Sequence, residues 1–385
     1  MKQKSLSVFS FAFTASAVVM ILIPALGMAD SVMFQANLER TGVYEDLGPE
    51  ESPELVWKFD AGSAVFSTPL VYDSSVYFVS FEGGVYAVDK EDGSVLWEKN
   101  LGGQPSFQIT LNEDLLLVGY HFNRGDGGYL IAIDRLSGEE LWKFEADDIT
   151  GMESPAIYNE RVYLASSNHL FSLDLSTGEE RWRHPISGVS RQLLIYDEVL
   201  YFQDDSQTIY SLSLSDGVPH WKYVPPNSKE SLFSTPALKD CCVYALTRNL
   251  EGRQLVKLNR HNGQEEAIFP INSSSMSSVS LADRIAFFGD DGGGQDTHGY
   301  MNAMDVENGE LIWRFETDDL VGGAASIAGD TVYFGSYDHY MYAVDRYTGE
   351  LKWRYETEAG IASSPAVVDG RLYFGSIDGH VYVLE

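Results

Sequence analysis

A thirteen-residue stretch, Val85 to Trp97 (VYAVDKEDGSVLW), returns at Leu130 to Trp142, Leu170 to Trp182, Met301 to Trp313 and Met341 to Trp353, with a weaker copy at Ile209 to Trp221 and a decayed one at Leu255 to Ala267. Repetition on this scale restricts the chain to modules that dock on their own copies. The first half of each copy alternates apolar and polar residues with aromatic and β-branched side chains, which reads as a half-buried strand. An Asp closes that strand at Asp89, Asp134, Asp174, Asp305 and Asp345, where a short carboxylate accepts hydrogen bonds from the turn behind it. Four residues on, Gly93, Gly138, Gly178, Gly309 or Gly349 supplies the positive φ of a tight hairpin, and a second strand then carries the Trp. Two residues before the Asp stands a small side chain (Ala87, Ala132, Ser172, Ala303 or Ala343) that leaves room for a neighbouring indole.

All seven tryptophans, Trp57, Trp97, Trp142, Trp182, Trp221, Trp313 and Trp353, belong to this slot, so each is read as a structural docking residue. The steps between them are 40, 45, 40, 39, 92 and 40 residues, and the 92 splits at Ala267 into two of 46. Eight slots at this period, with about four strands each, predict an all-β fold, an eight-bladed β-propeller of four-stranded antiparallel blades. Both ends of the chain carry the sign of closure. Gly379 to Glu385 is in register with Gly83 to Asp89 and forms a third strand without its Trp strand, whereas Leu55 to Trp57 is a Trp strand with no repeat before it. The N-terminal strand is therefore expected to join the C-terminal blade, which leaves no open sheet edge.

The run Ala-x-Asp-x-x-(Thr/Ser)-Gly-x-x-x-Trp, complete at Ala132 to Trp142 and Ala343 to Trp353, resembles the tryptophan-docking repeat of PQQ-like (pyrroloquinoline quinone) β-propellers. Members include BamB-type outer-membrane assembly lipoproteins and the propellers of quinoprotein alcohol dehydrogenases. The resemblance covers residues 53–385 and implies the fold; it does not choose between functions, because one fold hosts many sites.

Residues 1–29 open with Lys2 and Lys4, continue through an uncharged, mostly apolar run from Val8 to Leu26, and end on small residues at Ala29. This reads as a secretory signal peptide, with an uncleaved N-terminal anchor as the alternative, and predicts an exported protein in the periplasm, at the cell surface or outside the cell. No Cys lies near residue 29 to carry a lipid, a departure from the assembly lipoproteins. No later stretch is apolar for long enough to span a membrane. The net charge of −31, or −33 without Lys2 and Lys4, argues against nucleic acid or an anionic membrane as partner and reads as a solvated surface. Residues 30–52 form a leader, and 53–385 a single propeller domain, read as a monomer. Within the leader, Phe34 to Gly42 (FQANLERTG) is similar to the segment that precedes many exported propellers of this family, and it is expected to lie extended on the ring.

The first blade illustrates the strand plan: Phe66 to Tyr72 innermost, Val76 to Ser80 second, then the two strands of the repeat. Ser67-Thr68-Pro69 recurs at Ser234 to Pro236 and Ser363 to Pro365, and the proline is expected there because an innermost strand is an edge facing the channel. Additions to the repeat fall at His121 to Gly128, Pro225 to Glu230, Arg248 to Arg253 and Asp290 to Gly299. All lie between the second and third strands or between blades, hence on one face, which becomes the candidate surface for a protein or peptide partner.

Asp290, Asp291 and Asp296 put three carboxylates on a glycine-rich stretch, which reads as a solvated loop or else as a weak seat for a hard cation such as calcium, without EF-hand spacing. The adjacent Cys241 and Cys242 fall on a hairpin turn opposite the candidate face, where a vicinal disulfide would be structural. The acids Asp147, Asp148, Asp318 and Asp319 sit on blade-to-blade loops and read as solvated charge. The histidines show no metal-ligating spacing, and no nucleophile elbow or phosphate loop is present. The first functional expectation is thus an exported, non-catalytic scaffold that binds a protein at the cell envelope, with no cofactor. The alternative is a PQQ- and calcium-dependent alcohol or sugar dehydrogenase. It is disfavoured because every Trp is committed to docking and no Glu/Asn/Asp calcium trio can be matched.

Overall fold

The computed structural model describes residues 33–106, 108–121, 128–145, 155–166, 168–186, 192–228, 234–250, 252–271, 277–291 and 298–385. These residues form eight antiparallel sheets that follow one another along the chain as the blades of a ring. Blade 1 pairs Leu70–Tyr72, Ser75–Val79, Gly84–Asp89 and Val95–Asn100 in sequence order. Second and third strands are buried almost throughout, as at Ser75–Val79, whereas outer strands alternate, as at Glu180–Pro185. Inner strands are sandwiched between two neighbouring blades, so they read as near-continuous apolar runs; only the rim meets water on one face. No helix among the described residues is long and apolar enough to cross a membrane.

The ring closes as expected. Leu55–Asp60 pairs with His380–Leu384, with Trp57 opposite Val383 and Lys58 opposite Tyr382. Glu54 and Glu385 exchange backbone hydrogen bonds of 2.9 and 3.0 Å at the seam. Each repeat then does two jobs. Inside its own blade the small residue lies opposite the indole, Ala87 against Trp97 and Ala343 against Trp353. Across the interface the indole caps the next blade: Trp97, Trp142 and Trp313 donate their N–H to the carbonyls of Arg135, Leu175 and Arg346 at 2.9, 3.0 and 2.8 Å. The turn glycine beneath must stay bare, since a Cβ on Gly178 (φ 71°) would lie 2.5 Å from the Trp142 ring.

Two expectations need correction. The innermost strand of blade 1 begins at Leu70, not Phe66. Ahead of Pro69, which has no N–H to give, the Ser67 hydroxyl donates to the Val79 carbonyl (3.2 Å) and accepts from the Val79 N–H (3.1 Å), standing in for a ladder pair. Ser363 does the same with Gly375, at 2.8 and 2.9 Å. At the decayed repeat, where Ala267 holds the slot, an aromatic ring from elsewhere on the strand does the docking. Phe269, two residues beyond Ala267 and so on the same face of its strand, takes the indole's place, and a Cβ on Gly309 would come within 2.2 Å of its ring. Second, four residues of the addition Arg248 to Arg253 prolong the ladder of blade 5, with Arg248 opposite Arg253 and Asn249 opposite Gly252.

Candidate functional site

The leader lines the axis rather than resting on the ring. The carbonyls of Leu38, Glu39, Thr41 and Gly42 accept the N–H groups of Ile195, Leu238, Leu281 and Ile327 at 3.1, 2.9, 2.7 and 2.8 Å. Those four donors are the middle residues of the innermost strands of blades 4, 5, 6 and 7. Val43–Tyr44 then pairs in parallel with Ser326–Ala328, and Asp46 accepts the Asp369 N–H of blade 8 at 2.9 Å. The leader thus satisfies inner-strand donors that a bare channel would leave to water. Arg40, 1% exposed, pins it: Nε donates to the Leu193 carbonyl at 3.0 Å and Nη1 to the Phe34 carbonyl at 2.6 Å. Burial pushes the Arg40 pKa down to about 10, still far above neutrality, so the guanidinium stays charged. Beyond the axis, the Pro49 carbonyl accepts the Trp353 indole N–H at 2.8 Å, replacing the turn that the last blade lacks.

Of the three candidate metal residues, Asp290 and Asp291 lie among the described residues. Asp290 lies at the end of the strand Ile285–Asp290, wholly buried, instead of on a loop; it accepts from Asn302 Nδ2 at 2.6 Å and pairs with Arg314 at 3.4 Å. Asp291 follows it, half-buried, and Asp296 lies outside the described residues. Asp147 and Asp148 also lie outside them, as does most of the inserted stretches 121–128 and 290–299. Asp318 and Asp319 are exposed; the backbone N–H of Asp318 bonds Asp338 at 3.0 Å. Cys241 and Cys242 form a disulfide at the expected turn, and the Glu266 carboxylate lies 3.2 Å from the Cys242 sulfur.

A cleft lies on the other face, among the hairpin turns, and follows from one position in the repeat. The residue just after the Asp slot docks its N–H on the turn before it and offers its carbonyl to the preceding blade's indole. Its side chain points at the first turn of that preceding blade. In four blades it is a cation paired with the turn's positive-φ aspartate: Lys90 with Asp369 (2.7 Å), Arg135 with Asp73 (3.2 Å), Arg260 with Asp197 (3.6 Å) and Arg346 with Asp283. Arg135 and Arg260 also lie over tyrosine rings, 4.4 Å from the centre of Tyr72 and 4.6 Å from that of Tyr196. Between blades 3 and 4 the cation is missing. Leu214 holds the slot, Asn159 replaces the aspartate, and a cleft of about 770 Å³ opens there.

Tyr158 and Tyr163 wall this cleft, in the places of Tyr72 and Tyr77. Its rim carries Glu160 and Glu198, both exposed, together with Asp174. Hydrogen bonds from Ser176 and Arg181 hold Asp174 well below the usual carboxylate range, while burial pushes the Tyr163 phenol up. At neutral pH the cleft therefore presents an ionised Asp174 carboxylate and a neutral Tyr163 phenol. Arg161 donates to the Leu214 and Ser215 carbonyls at 3.4 and 3.3 Å from one side. Reading the sequence for catalytic motifs passes over this site, because its signal is a substitution at one repeat position: Lys90, Arg135, Arg260 and Arg346 against Leu175, Leu214 and Val306.

The chain matches the family model described as outer membrane protein assembly factor BamB over residues 49–223, 119–296 and 297–385. It is 22% identical over 211 residues to outer membrane protein assembly factor BamB of Yersinia pestis, covering 50% of this chain and 53% of that protein. It is 27% identical over 169 residues to methanol dehydrogenase [cytochrome c] subunit 1 of Methylobacterium organophilum, covering 37% of this chain and 27% of that one. The matched part thus spans 27% to 53% of the length of these relatives. In three dimensions the chain resembles a europium-containing methanol dehydrogenase, with a TM-score of 0.79 at 15% identity over 93% of this chain and 98% of that one, a likeness of fold. With eight blades built on one tryptophan-docking repeat and a family match that runs from residue 49 to residue 385, the chain belongs to the PQQ-like propeller family of outer membrane protein assembly factor BamB.

Proposed function

We propose that this protein is a non-catalytic, exported scaffold that binds a protein or peptide partner at the cell envelope, through the face where its repeats gain residues. The observation that carries this reading is the state of the axis. Along blades 4 to 8 it is lined by the chain's own leader, anchored by the buried Arg40 and by backbone hydrogen bonds to four blades. A planar quinone needs a flat aromatic floor and cations around its carboxylates. Here all seven indoles donate their N–H groups to carbonyls of a neighbouring blade or of the leader, so none is presented to a cofactor. The described residues of the axis do not fit PQQ, and the carboxylate of the buried Asp290 is engaged by Arg314 and Asn302. The kinship with BamB, an outer membrane protein assembly factor by description, supports the same reading.

The test is direct. Purified protein mixed with PQQ and Ca²⁺ is expected to show neither quinone absorbance after gel filtration nor dye-linked oxidation of methanol, ethanol or glucose. Turnover would overturn the scaffold reading in favour of a quinoprotein dehydrogenase.

A further inference from the structure

Seven repeats carry the position that follows the Asp slot, and its occupants sort by their surroundings. Where it is apolar elsewhere, it joins an apolar cluster: Leu175 packs against the cluster that holds Leu117, and Val306 belongs to the one that holds Tyr244 and Cys242. Where it is Arg135 or Arg260, two tyrosines of the preceding blade surround it, Tyr72 and Tyr77 or Tyr196 and Tyr201. The interface of blades 3 and 4 mixes the two patterns. Its tyrosine pair, Tyr158 and Tyr163, is that of an arginine-filled interface, yet the residue supplied by the next blade is Leu214. What remains is a tyrosine-walled cleft rimmed by carboxylates. Glu160 and Glu198 make no ion pair among the described residues.

We propose that the cleft between blades 3 and 4 is an arginine-accepting socket: it takes the guanidinium of an arginine on a partner polypeptide into the place that Arg135 and Arg260 fill from within at their own interfaces. The physical case has three parts. A guanidinium stacks on a tyrosine face and offers a planar fork to carboxylates, the combination that Tyr158 and Glu198 present. The cleft, about 770 Å³, exceeds one side chain and has room for the flanking backbone of a peptide. Arg161 does not bar a second cation. At the seam between blades 8 and 1 the equivalent Arg371 donates to the Lys90 carbonyl at 3.3 Å while the Lys90 ammonium occupies the slot, the two cations lying side by side among Asp369, Glu91 and Glu385. Between blades 3 and 4 three carboxylates, Glu160, Asp174 and Glu198, face two cations, Arg161 and Arg181, so a third cation would balance the set.

This socket rests on the reading of the protein as a partner-binding scaffold, but it lies on the hairpin-turn face, opposite the face proposed above. The probes are acetyl-Gly-Arg-Gly-amide and the same peptide with citrulline, a neutral isostere, in place of arginine. Titrated into the full protein and followed by tryptophan fluorescence, since Trp182 docks on Leu214 beside the cleft, the arginine peptide is expected to bind saturably and about tenfold more tightly than the citrulline one. Leu214→Arg rebuilds the self-filled interface and should abolish binding without loss of folding. Glu198→Gln, an exposed change, should weaken it. Binding that is absent in the parent protein, or equal for both peptides, or undiminished in Leu214→Arg and Glu198→Gln, overturns the socket. Turnover with PQQ in the same preparation would overturn the scaffold reading alone and leave the peptide result standing.

Discussion

At the scale of single residues, the fold depends on wide aromatics laid on bare glycines. Trp142 is nearly buried, donates to the Leu175 carbonyl at 3.0 Å and covers Gly178. Trp142→Ala should therefore lose about 3–5 kcal/mol, as for other buried aromatics cut back to alanine. Phe269 has no indole N–H and is only half-buried, so Phe269→Ala should cost less than Trp142→Ala but clearly more than a rim substitution such as Leu136→Ala, whose side chain is exposed. Urea unfolding of the three variants checks the order. If Phe269→Ala were as mild as Leu136→Ala, blade 5 would be docked by something other than that ring. The slot was readable as a tryptophan position because seven copies agree; Phe269 was not, because a shift of two residues along a strand preserves the face while breaking the alignment.

At the scale of strands and turns, the hairpin behind each Asp was legible in full. Asp134 accepts from the Ser137 N–H at 2.7 Å, and Gly138 has φ 73°, as the spacing requires. The start of the innermost strand was not. Ser-Thr-Pro looks like strand by its neighbours, but the proline ends the ladder and a serine hydroxyl takes over both of its bonds. This account predicts that Ser363→Ala, which is isosteric but for the hydroxyl, leaves the buried N–H and carbonyl of Gly375 without their partner at a cost of about 1–3 kcal/mol. Ser363→Thr, which keeps the hydroxyl, should lose less if the added methyl is accommodated. Thermal unfolding of both variants decides it, and an alanine variant as stable as the parent would mean that the hydroxyl is not needed there. The arginine socket was hidden for a related reason. It is written in the relation between one strand of blade 4 and a turn of blade 3, which becomes a contact only when the blades are stacked side by side.

At the scale of the whole molecule, the ring holds together because its two ends share one sheet. The strand Leu55–Asp60 covers His380–Leu384, whose Val381, Tyr382, Val383 and Leu384 are buried, and Trp57 reaches across to donate to the Lys90 carbonyl of blade 1 at 2.9 Å. One strand therefore completes blade 8 and fastens it to blade 1, and an open edge of that composition would template pairing between chains. Closure was legible from the unmatched halves of the repeat, whereas the path of the leader along the axis was not, since its bonds are made through backbone carbonyls that carry no sequence signal. Lys58 sits opposite Tyr382 in the middle of the seam. Phe59 beside it faces Val381, and because the Ala61 N–H bonds the Gly379 carbonyl two residues on, the alternation of the ladder makes Phe59 a hydrogen-bonding position. Phe59→Pro removes that ladder N–H, so it should unlatch the ring: a lower melting temperature, and concentration-dependent association in sedimentation. Lys58→Ala keeps the backbone and loses an exposed ion pair with Glu358 and the approach of its ammonium to the Tyr382 ring, so it should keep the parent's sedimentation behaviour and stay close to it in stability. The contrast separates the ladder of the seam from an exposed side chain on it. A proline variant with the parent's sedimentation behaviour and melting temperature would mean that blade 8 is held by its neighbours alone, and that the shared strand is decoration on a ring closed by other contacts.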